Sequence, residues 1–412
     1  MSNIKPTIRN LDLQPYQHEG EQYYLLQDPR QETEGQLLLP PILAHMLRYF
    51  DGQHDIPAIY AQIEKDAGFA LPAGTVEQAV SQLDQAYMLD NERYASYVER
   101  VYGDFLRVAH RPMVLADVNY PRDPAALAEL FASYGGTDDL SDEEAWHGRA
   151  VISPHIDYQR GGPVYARAWA RAGAAVQKAD LVLMFATDHK GGLGSLTLTK
   201  KGYETPYGLL PTDDQLVDAL AHAIGEDEAY ALELNHRREH SVELSAVWLH
   251  HVAAQTGTTP VMVPLLIGSF QHLVAYQKHP QQDVKIQTFL EALVRETAGK
   301  KVLCVASVDM AHVGPAFGDD YIMDEERRSL LDAADHSLIE AMMEGDAERY
   351  YREIADVQDR NKVCGFSPVY LMLRYLQMRG EGEISGRLLA YDQCSADAEN
   401  HSLVSISSLL LD

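Results

Sequence analysis

Cysteine is scarce in this chain of 412 residues, which contains only Cys304, Cys364 and Cys394. An odd and sparse set of cysteines does not build a disulfide framework, and it suits a reducing compartment. The first residues of the chain also lack the apolar segment of a secretory signal peptide. We therefore expect a cytoplasmic protein.

Basic residues are also in short supply. Lysine and arginine together number 34 against 61 aspartates and glutamates, which gives a formal net charge of -27. A surface of this sign repels phosphate backbones and anionic lipid headgroups, so neither a nucleic acid nor a membrane surface is an expected partner. No apolar run approaches the roughly 18 residues that a membrane-spanning helix requires.

Hydrophobic residues, in contrast, make up 46% of the chain, and a chain of this length usually divides into two domains. Residues 1–95 have apolar side chains at helical spacing and predict a small, mainly helical, winged-helix-like domain. Met46–Gly52 and Leu83–Leu89 resemble the peptide-binding domains of the PqqD type. The last predicted helix, Val76–Tyr87, has no lysine or arginine, which favours peptide binding, docking or dimerisation over DNA binding.

Residues 96–110 are predicted to be a linker, and residues 111–412 a second domain, in which Thr137–Glu144 forms an acidic, exposed loop. Short, nearly continuous apolar runs in this domain predict buried parallel strands. These runs are Ala150–Ser153, Leu181–Ala186, Val261–Ile267 and Val302–Ser307. Helical patterns lie between them, so the sequence predicts a three-layer αβα domain.

Three of the predicted strands are followed directly by a histidine and an aspartate. The pairs are His155 with Asp157, His189 with Asp188, and His312 with Asp309. Because the carboxyl ends of parallel strands open onto the ligand crevice, these side chains predict a metal site or an acid–base cluster. The alternative is that each side chain only caps a helix or orders its own loop.

Two further features bear on this site. Cys364 lies in a tight turn between Lys362 and Pro368, where a thiol is either aimed at a ligand or packed as a small apolar residue. The segment from His236 to His240 matches the His-x-x-Glu-His pattern of some zinc peptidases, which makes a peptidase with His236 and His240 as zinc ligands a minor alternative. We instead expect His240 and Glu243 at the start of the following helix, near the crevice.

Several segments of the second domain together resemble the Memo family, in matching order and spacing over some 300 residues. They are Arg111-Pro112, Tyr120–Pro124, Ser153–Tyr158, Asp188-His189, Glu239–Leu244, Pro264–Gly268, Ser307–Gly314 and Val363–Gly365. The resemblance implies a fold related to class III extradiol dioxygenases and a metal site with iron, or else copper or zinc. It implies His155, His189 and Cys364 as ligands, with His312, Asp309, His240 and Glu243 as the catalytic residues beside them.

The resemblance further implies an AmmeMemoRadiSam-type system, with AMMECR-type and radical SAM proteins as partners. This chain departs from the family pattern at Ile156, Asp157, Asp188 and Lys190, so the substrate of other members does not carry over. Two functions therefore stay open. The first is a non-haem iron-dependent oxidoreductase acting on a peptide or small molecule, and the second is a non-catalytic metal carrier or peptide-binding protein.

Overall fold

The computed structural model describes residues 4–18, 21–28, 32–33, 35–136 and 145–412. The chain divides into two compact units, Met1–Val108 and Ala109–Asp412. The acidic loop predicted for Thr137–Glu144 lies outside the described residues. Within the described residues, no helix has the length and apolar character needed to cross a membrane.

The first unit combines a small antiparallel sheet with helices. Its elements are β1 (Asp12–His18), β2 (Glu21–Gln27), β3 (Gln36–Leu39), α1 (Pro41–Met46), α2 (Ile56–Ala67), α3 (Thr75–Gln85) and α4 (Glu92–Arg107). Helices α1, α2 and α3 account for the helical spacing predicted within residues 1–95, and α3 corresponds to the predicted helix Val76–Tyr87. Helix α2 begins where the Asp55 side chain accepts a hydrogen bond from the amide of Ala58, and it ends at Gly68 in the left-handed conformation.

Two features of this unit differ from the sequence-based expectation. The sheet, in the order β1-β2-β3, was not expected, because glutamines and half-exposed tyrosines in these strands obscure an alternating apolar pattern. Helix α4 covers most of the predicted linker at 96–110, after the Asn91 side chain caps it by accepting from the amide of Tyr94.

The second unit is larger and mixes strands with helices throughout. Its strands are β4 (His110–Arg111), β5 (Ala150–Ser153), β6 (Leu181–Thr187), β7 (Leu196–Thr197), β8 (Gly202–Thr205), β9 (Gly208–Leu210), β10 (Met262–Ile267), β11 (Val302–Ser307), β12 (His312–Val313), β13 (Gly386–Ser395) and β14 (Leu403–Leu411). Its helices are α5 (Pro124–Ser133), α6 (Tyr158–Trp169), α7 (Gly173–Lys178), α8 (Asp214–Ile224), α9 (Glu226–Tyr230), α10 (His240–Thr256), α11 (Gln271–Ala275), α12 (Val284–Glu296), α13 (Glu325–Met343), α14 (Ala347–Asp356) and α15 (Phe366–Arg379).

The main sheet has eight strands in the order β12-β14-β5-β11-β6-β10-β7, with β13 paired along the length of β14. The four central strands β5, β11, β6 and β10 run parallel to one another. Strands β7, β12, β13 and β14 pair antiparallel to their neighbours. Strands β4, β8 and β9 form a separate small sheet.

Helices cover both faces of the main sheet. Side chains along β6 alternate between two apolar cores, with Leu181, Leu183 and Phe185 in one and Val182, Met184 and Ala186 in the other. The first core contains residues of α8, α12, α13, α14 and α15, and the second contains residues of α5, α6, α7 and α10. The predicted three-layer αβα fold is therefore confirmed, since a strand buried on both faces needs a helical layer on each.

Candidate metal centre

The parallel strands end at one edge of the main sheet, and the candidate residues follow those ends. Ser307 at the end of β11 pairs with Ser153 of β5 on one side and with Ala186 of β6 on the other. His155, His189 and Asp309 each come two residues after the end of their strand. The register of the sheet therefore delivers them to one place.

Helix α10 begins over the same edge and is tied to it by serine side chains. The hydroxyl of Ser241 donates to the carbonyl oxygen of Thr187 at 2.7 Å, and the hydroxyl of Ser307 donates to the carbonyl oxygen of Ser241 at 2.5 Å. Since all three residues are buried, these bonds fix the start of α10 against the ends of β6 and β11.

His155 is fully buried, and only one of its ring nitrogens is available to a ligand. Its Nδ1 lies 2.9 Å from the carbonyl oxygen of Ser307. A carbonyl oxygen only accepts, so Nδ1 carries the proton and Nε2 presents a lone pair. Nε2 lies 3.4 Å from the Sγ of Cys364.

His189 is oriented in the same way by a carboxylate that the sequence analysis did not assign to the site. Its Nδ1 lies 2.9 Å from Oε1 of Glu239, and its backbone amide donates to Oε2 at 3.0 Å. Its Nε2 is therefore the nitrogen left for a metal. The rings of His155 and His189 are 4.9 Å apart between centroids.

Cys364 reaches the cluster from the turn before α15. Its backbone amide donates to the carbonyl oxygen of Met310, and its Sγ lies 3.3 Å from the carbonyl oxygen of Asp309. Gly365 is required next to it, because a Cβ there would lie 2.8 Å from that same Asp309 oxygen. The N-terminus of a helix also favours a thiolate over a thiol.

The donor atoms of His155, His189 and Cys364 all lie within 4.8 Å of one another. Two imidazole nitrogens and a thiolate form a donor set that suits iron, copper or zinc. A second group of donors, His189, Glu239 and His240, meets the same distance limit. In that group, however, the Glu239 carboxylate already accepts hydrogen bonds from His189, so the first group fits a metal better.

The ionisation of the cluster follows from burial and from Glu239. Burial, with His189 and His240 nearby, lowers the pKa of His155 well below its usual value, which keeps this imidazole neutral. Burial also lowers the pKa of His189, but Glu239 and Cys364 together outweigh burial, so the net pKa of His189 is raised. Burial raises the pKa of the Cys364 thiol, and the bond from His189 opposes that change.

His240 lies beside the three donors, whereas Glu243 points into a different network. The His240 ring stacks on His189 at 4.6 Å between centroids and lies 5.2 Å from His155. The Glu243 side chain is 1% exposed and forms an ion pair with the fully buried Arg111. Its carboxylate also accepts from the hydroxyl of Tyr120 and the amide of Leu115. The expectation that Glu243 faces the crevice is therefore not met in this structure, since buried donors occupy its carboxylate.

Asp309 and His312 lie at the border of the cluster. Oδ1 of Asp309 accepts from the amides of His155 and Ile156, and Oδ2 lies 3.7 Å from Nε2 of His155. Burial raises the pKa of Asp309. The His312 side chain contacts the backbone: its Nδ1 lies 3.2 Å from the carbonyl oxygen of Met310.

The His-x-x-Glu-His segment does not bring its two histidines together as ligands. His236 is fully buried, with its Nδ1 2.8 Å from the hydroxyl of Tyr203 and its Nε2 3.2 Å from the carbonyl oxygen of Thr197. None of the candidate metal groups in the described part of the chain includes it. Both ring nitrogens are already used, which removes the geometry that a zinc peptidase needs.

Comparison with known proteins places this arrangement in a family. The model of the family described as "Memo-like protein" matches residues 111–410, which include every residue of the cluster. The chain belongs to the Memo-like protein family. The expected resemblance is thereby confirmed.

Relatives from this family align with much of the chain. A MEMO1 family protein of Aquifex aeolicus is 24% identical over 389 residues, which cover 94% of this chain and 95% of that protein. The MEMO1 family protein of Thermus thermophilus is 25% identical over 86% of this chain and 98% of that protein. The one from Methanococcoides burtonii is 27% identical over 64% of this chain and 86% of that protein. The Aquifex match is too long for the Memo-like unit alone, so it extends into the N-terminal unit.

Sequence reasoning missed three residues that shape this Memo-like site. Glu239 orients His189, while Arg111 and Tyr120 hold Glu243 away from it. Arg111 and Glu239 both stand in the segments that carry the family resemblance, so the signal was present. Their partners could not be deduced, because Arg111 and Glu243 are separated by 132 residues in the chain.

Proposed function

We propose that the Memo-like unit binds one metal ion through Nε2 of His155, Nε2 of His189 and Sγ of Cys364. Iron is the proposed ion, and the proposed activity is that of a non-haem iron-dependent oxidoreductase acting on a peptide or small molecule. The observation that carries the proposal is the convergence of these donor atoms within 4.8 Å, each imidazole having its other nitrogen already bonded to an acceptor. A hydrogen-bonded second nitrogen is the usual state of a metal-bound histidine.

Iron held by two imidazoles and one thiolate would supply redox chemistry, and three protein ligands leave positions for a substrate. The protein side chains around those positions have distinct tasks. His155 is buried and holds its Nε2 in a fixed direction. Asp309 fixes the loop that carries His155, because its carboxylate accepts hydrogen bonds from two backbone amides of that loop. His189 and His240, whose side chains are 31% and 41% exposed, form the open side at which a substrate would arrive.

Proton transfer in this scheme falls to His240 or His312. His240 stacks on the proposed ligand His189 and is open to solvent, whereas His312 is tied to the backbone through Nδ1. A side chain must come within hydrogen-bonding reach of the reacting group to act as acid or base. The exposed position of His240 therefore makes it the first choice, with His312 the second.

The alternative function is a non-catalytic metal carrier or peptide-binding protein. The exposure of His189 and His240 favours this alternative, because a ligand at the surface can hand an ion to another protein. The same donor set would accept copper(I) or zinc, since a thiolate is a soft ligand. A role for the N-terminal unit in delivering a peptide, and AMMECR-type and radical SAM partners, remain predictions from the family resemblance.

Metal analysis of protein purified without oxygen tests the proposal. We expect about one iron per chain, and its loss in the triple variant His155→Ala, His189→Ala, Cys364→Ala. The matched control replaces His222, His336 and Cys394 with alanine and should keep its iron. Equal metal content in both triple variants would refute the site. O2 consumption by the loaded protein with candidate substrates would favour the oxidoreductase, and ready transfer of the ion to a chelator without any turnover would favour the carrier.

A further inference from the structure

The carboxylate of Glu239 is buried and is surrounded by hydrogen-bond donors. Oε1 accepts from the Nδ1 of His189 and the amides of His240 and Ser241 at 2.9, 2.9 and 3.1 Å. Oε2 accepts from the amide of His189 at 3.0 Å. The Nδ1 of His240 lies 3.2 Å from Oε1. With a side chain only 1% exposed, Glu239 has these protein donors in place of water.

A neutral side chain cannot replace this carboxylate. Glutamine would keep the shape, but one of its two terminal atoms is an NH2 group, which donates and cannot accept. Wherever that group is placed, it faces at least one N–H that now donates to Glu239. A donor set against a donor in a buried site leaves both groups without a hydrogen-bond partner, which is unfavourable. The negative charge is lost as well.

Glu239 is itself held rigidly. It is the capping residue of α10, and its backbone carbonyl accepts from the guanidinium of Arg111 at 3.1 Å. The next turn is tied to the sheet through Ser241 and Thr187. Since the backbone around Glu239 is fixed, its carboxylate imposes a position on the two imidazoles and does not follow them.

Two imidazoles thereby share one acceptor. The rings of His189 and His240 stack at 4.6 Å with an interplanar angle of 19°, and the Nδ1 of each lies beside Oε1. A proton held on Nδ1 of His189 leaves its Nε2 to the metal, and a negative charge next to Nδ1 makes Nε2 a stronger donor.

We infer that Glu239 is a positioning residue that supplies no metal ligand, yet sets the orientation of His189 and His240 and so determines how tightly the site binds metal. The inference rests on the proposed metal site, and it assigns the residue that prepares that site. It also decides between the two donor groups at this edge, because it makes Glu239 a hydrogen-bond acceptor for His189 and not a ligand in a group with His189 and His240.

The variant Glu239→Gln tests the inference in two ways. In apo-protein labelled with 15N-histidine, the wild type should show a downfield Nδ1–H resonance that His189→Asn removes, and Glu239→Gln should lose or strongly shift that resonance. Zinc affinity, measured by competition with a chromophoric chelator, should fall about 10–100-fold, as is typical when a partner of a metal ligand is changed. The matched control is Glu233→Gln, because Glu233 is also a buried glutamate but accepts from the hydroxyl of Thr199; both readouts should stay at wild-type values.

Two results would overturn the inference. Unchanged resonance and affinity in Glu239→Gln would mean that the carboxylate does not position His189. Loss of zinc as complete as in His189→Ala would mean that Glu239 is a ligand. If Glu239→Gln does not fold, Glu239→Asp, which keeps the charge but withdraws it by one methylene, should weaken zinc binding in the same direction, and wild-type affinity there would count against the inference. A wild type that binds no metal would refute the proposed function, while the Nδ1–H resonance would still test the role of Glu239.

Discussion

Glu239 and Glu243 stand four residues apart at the start of the same helix, and each is 1% exposed, yet they belong to different parts of the molecule. Glu239 faces two histidines at the open edge of the sheet. Glu243 faces Arg111 and Tyr120 in a closed network that is saturated with donors. Residue type and burial are therefore the same, and only the partners distinguish Glu239, which contacts the proposed metal ligand His189, from Glu243, which is paired with Arg111.

This comparison separates two kinds of dependence. Changes in the closed network that leave Arg111 in place should reduce the free energy of unfolding and leave metal affinity unchanged for as long as the protein is folded. Changes at His189 and His240 in the open cluster should reduce metal affinity and affect stability little, because these partly exposed histidines contribute few buried contacts.

The largest effect is expected from the closed network. Glu243→Ala leaves the guanidinium of Arg111 buried without its carboxylate, and breaking a buried pair in this way costs about 3–5 kcal/mol. Thermal or denaturant unfolding measures this loss. Tyr120→Phe is the milder variant; it removes one hydrogen bond to the carboxylate, at about 1.5–3 kcal/mol. If folded Tyr120→Phe protein had lost its metal affinity, the two regions would not be separate.

The next effect is a dependence of stability on pH that originates in His236, whose backbone carbonyl accepts a hydrogen bond from Arg111 of the closed network at 2.9 Å. Burial lowers the pKa of His236 to about 3, against about 6.5 in an unfolded chain. Between these values the unfolded chain binds a proton that the folded protein does not. The free energy of unfolding should therefore fall as pH falls through this window, by about 1.4 kcal/mol per pH unit from this group, and the contribution is complete above pH 6.5.

Denaturant unfolding at several pH values measures that slope. His236→Gln removes the titrating group, so its slope between about pH 4 and 6 should be shallower than that of the wild type. His222→Gln, at an exposed position, serves as the control and should keep the wild-type slope. An unchanged slope in His236→Gln would show that His236 is not the group that makes the fold sensitive to acid.

The smallest effect is expected at the border between the two regions. Asp309 bonds the backbone of His155 with one oxygen and faces its ring with the other, and His312 follows on the same turn. Asp309→Asn and His312→Ala should weaken metal binding by about 10–100-fold without abolishing it. Metal content and chelator competition provide the measurement. Metal loss as complete as in His155→Ala would place both residues among the ligands and contradict the division of roles.

Sequence patterns were sufficient for the architecture of the larger unit. The four buried apolar runs predicted as strands correspond to β5, β6, β10 and β11 within one residue at either end, because a strand covered on both faces has no polar side. The sheet β1–β3 was missed for the opposite reason: its strands are partly exposed, and their glutamines and tyrosines give no clear alternation. Helix α4 was missed because it falls where a linker was expected.

The candidate site, too, was predictable from the sequence in part only. The sequence by itself determined which side chains reach the sheet edge, since His155, His189 and Asp309 directly follow buried parallel strands and the polarity of a strand fixes where its end lies. Only the tertiary structure decided that Glu243 pairs with Arg111 and that Glu239 accepts a hydrogen bond from His189. Arg111 and Glu243 are 132 residues apart in the chain, and Glu239 and Glu243 present the same chemistry in sequence. Their different roles come from the direction of each side chain around α10 and from the elements that pack against it, which no local pattern of residues records.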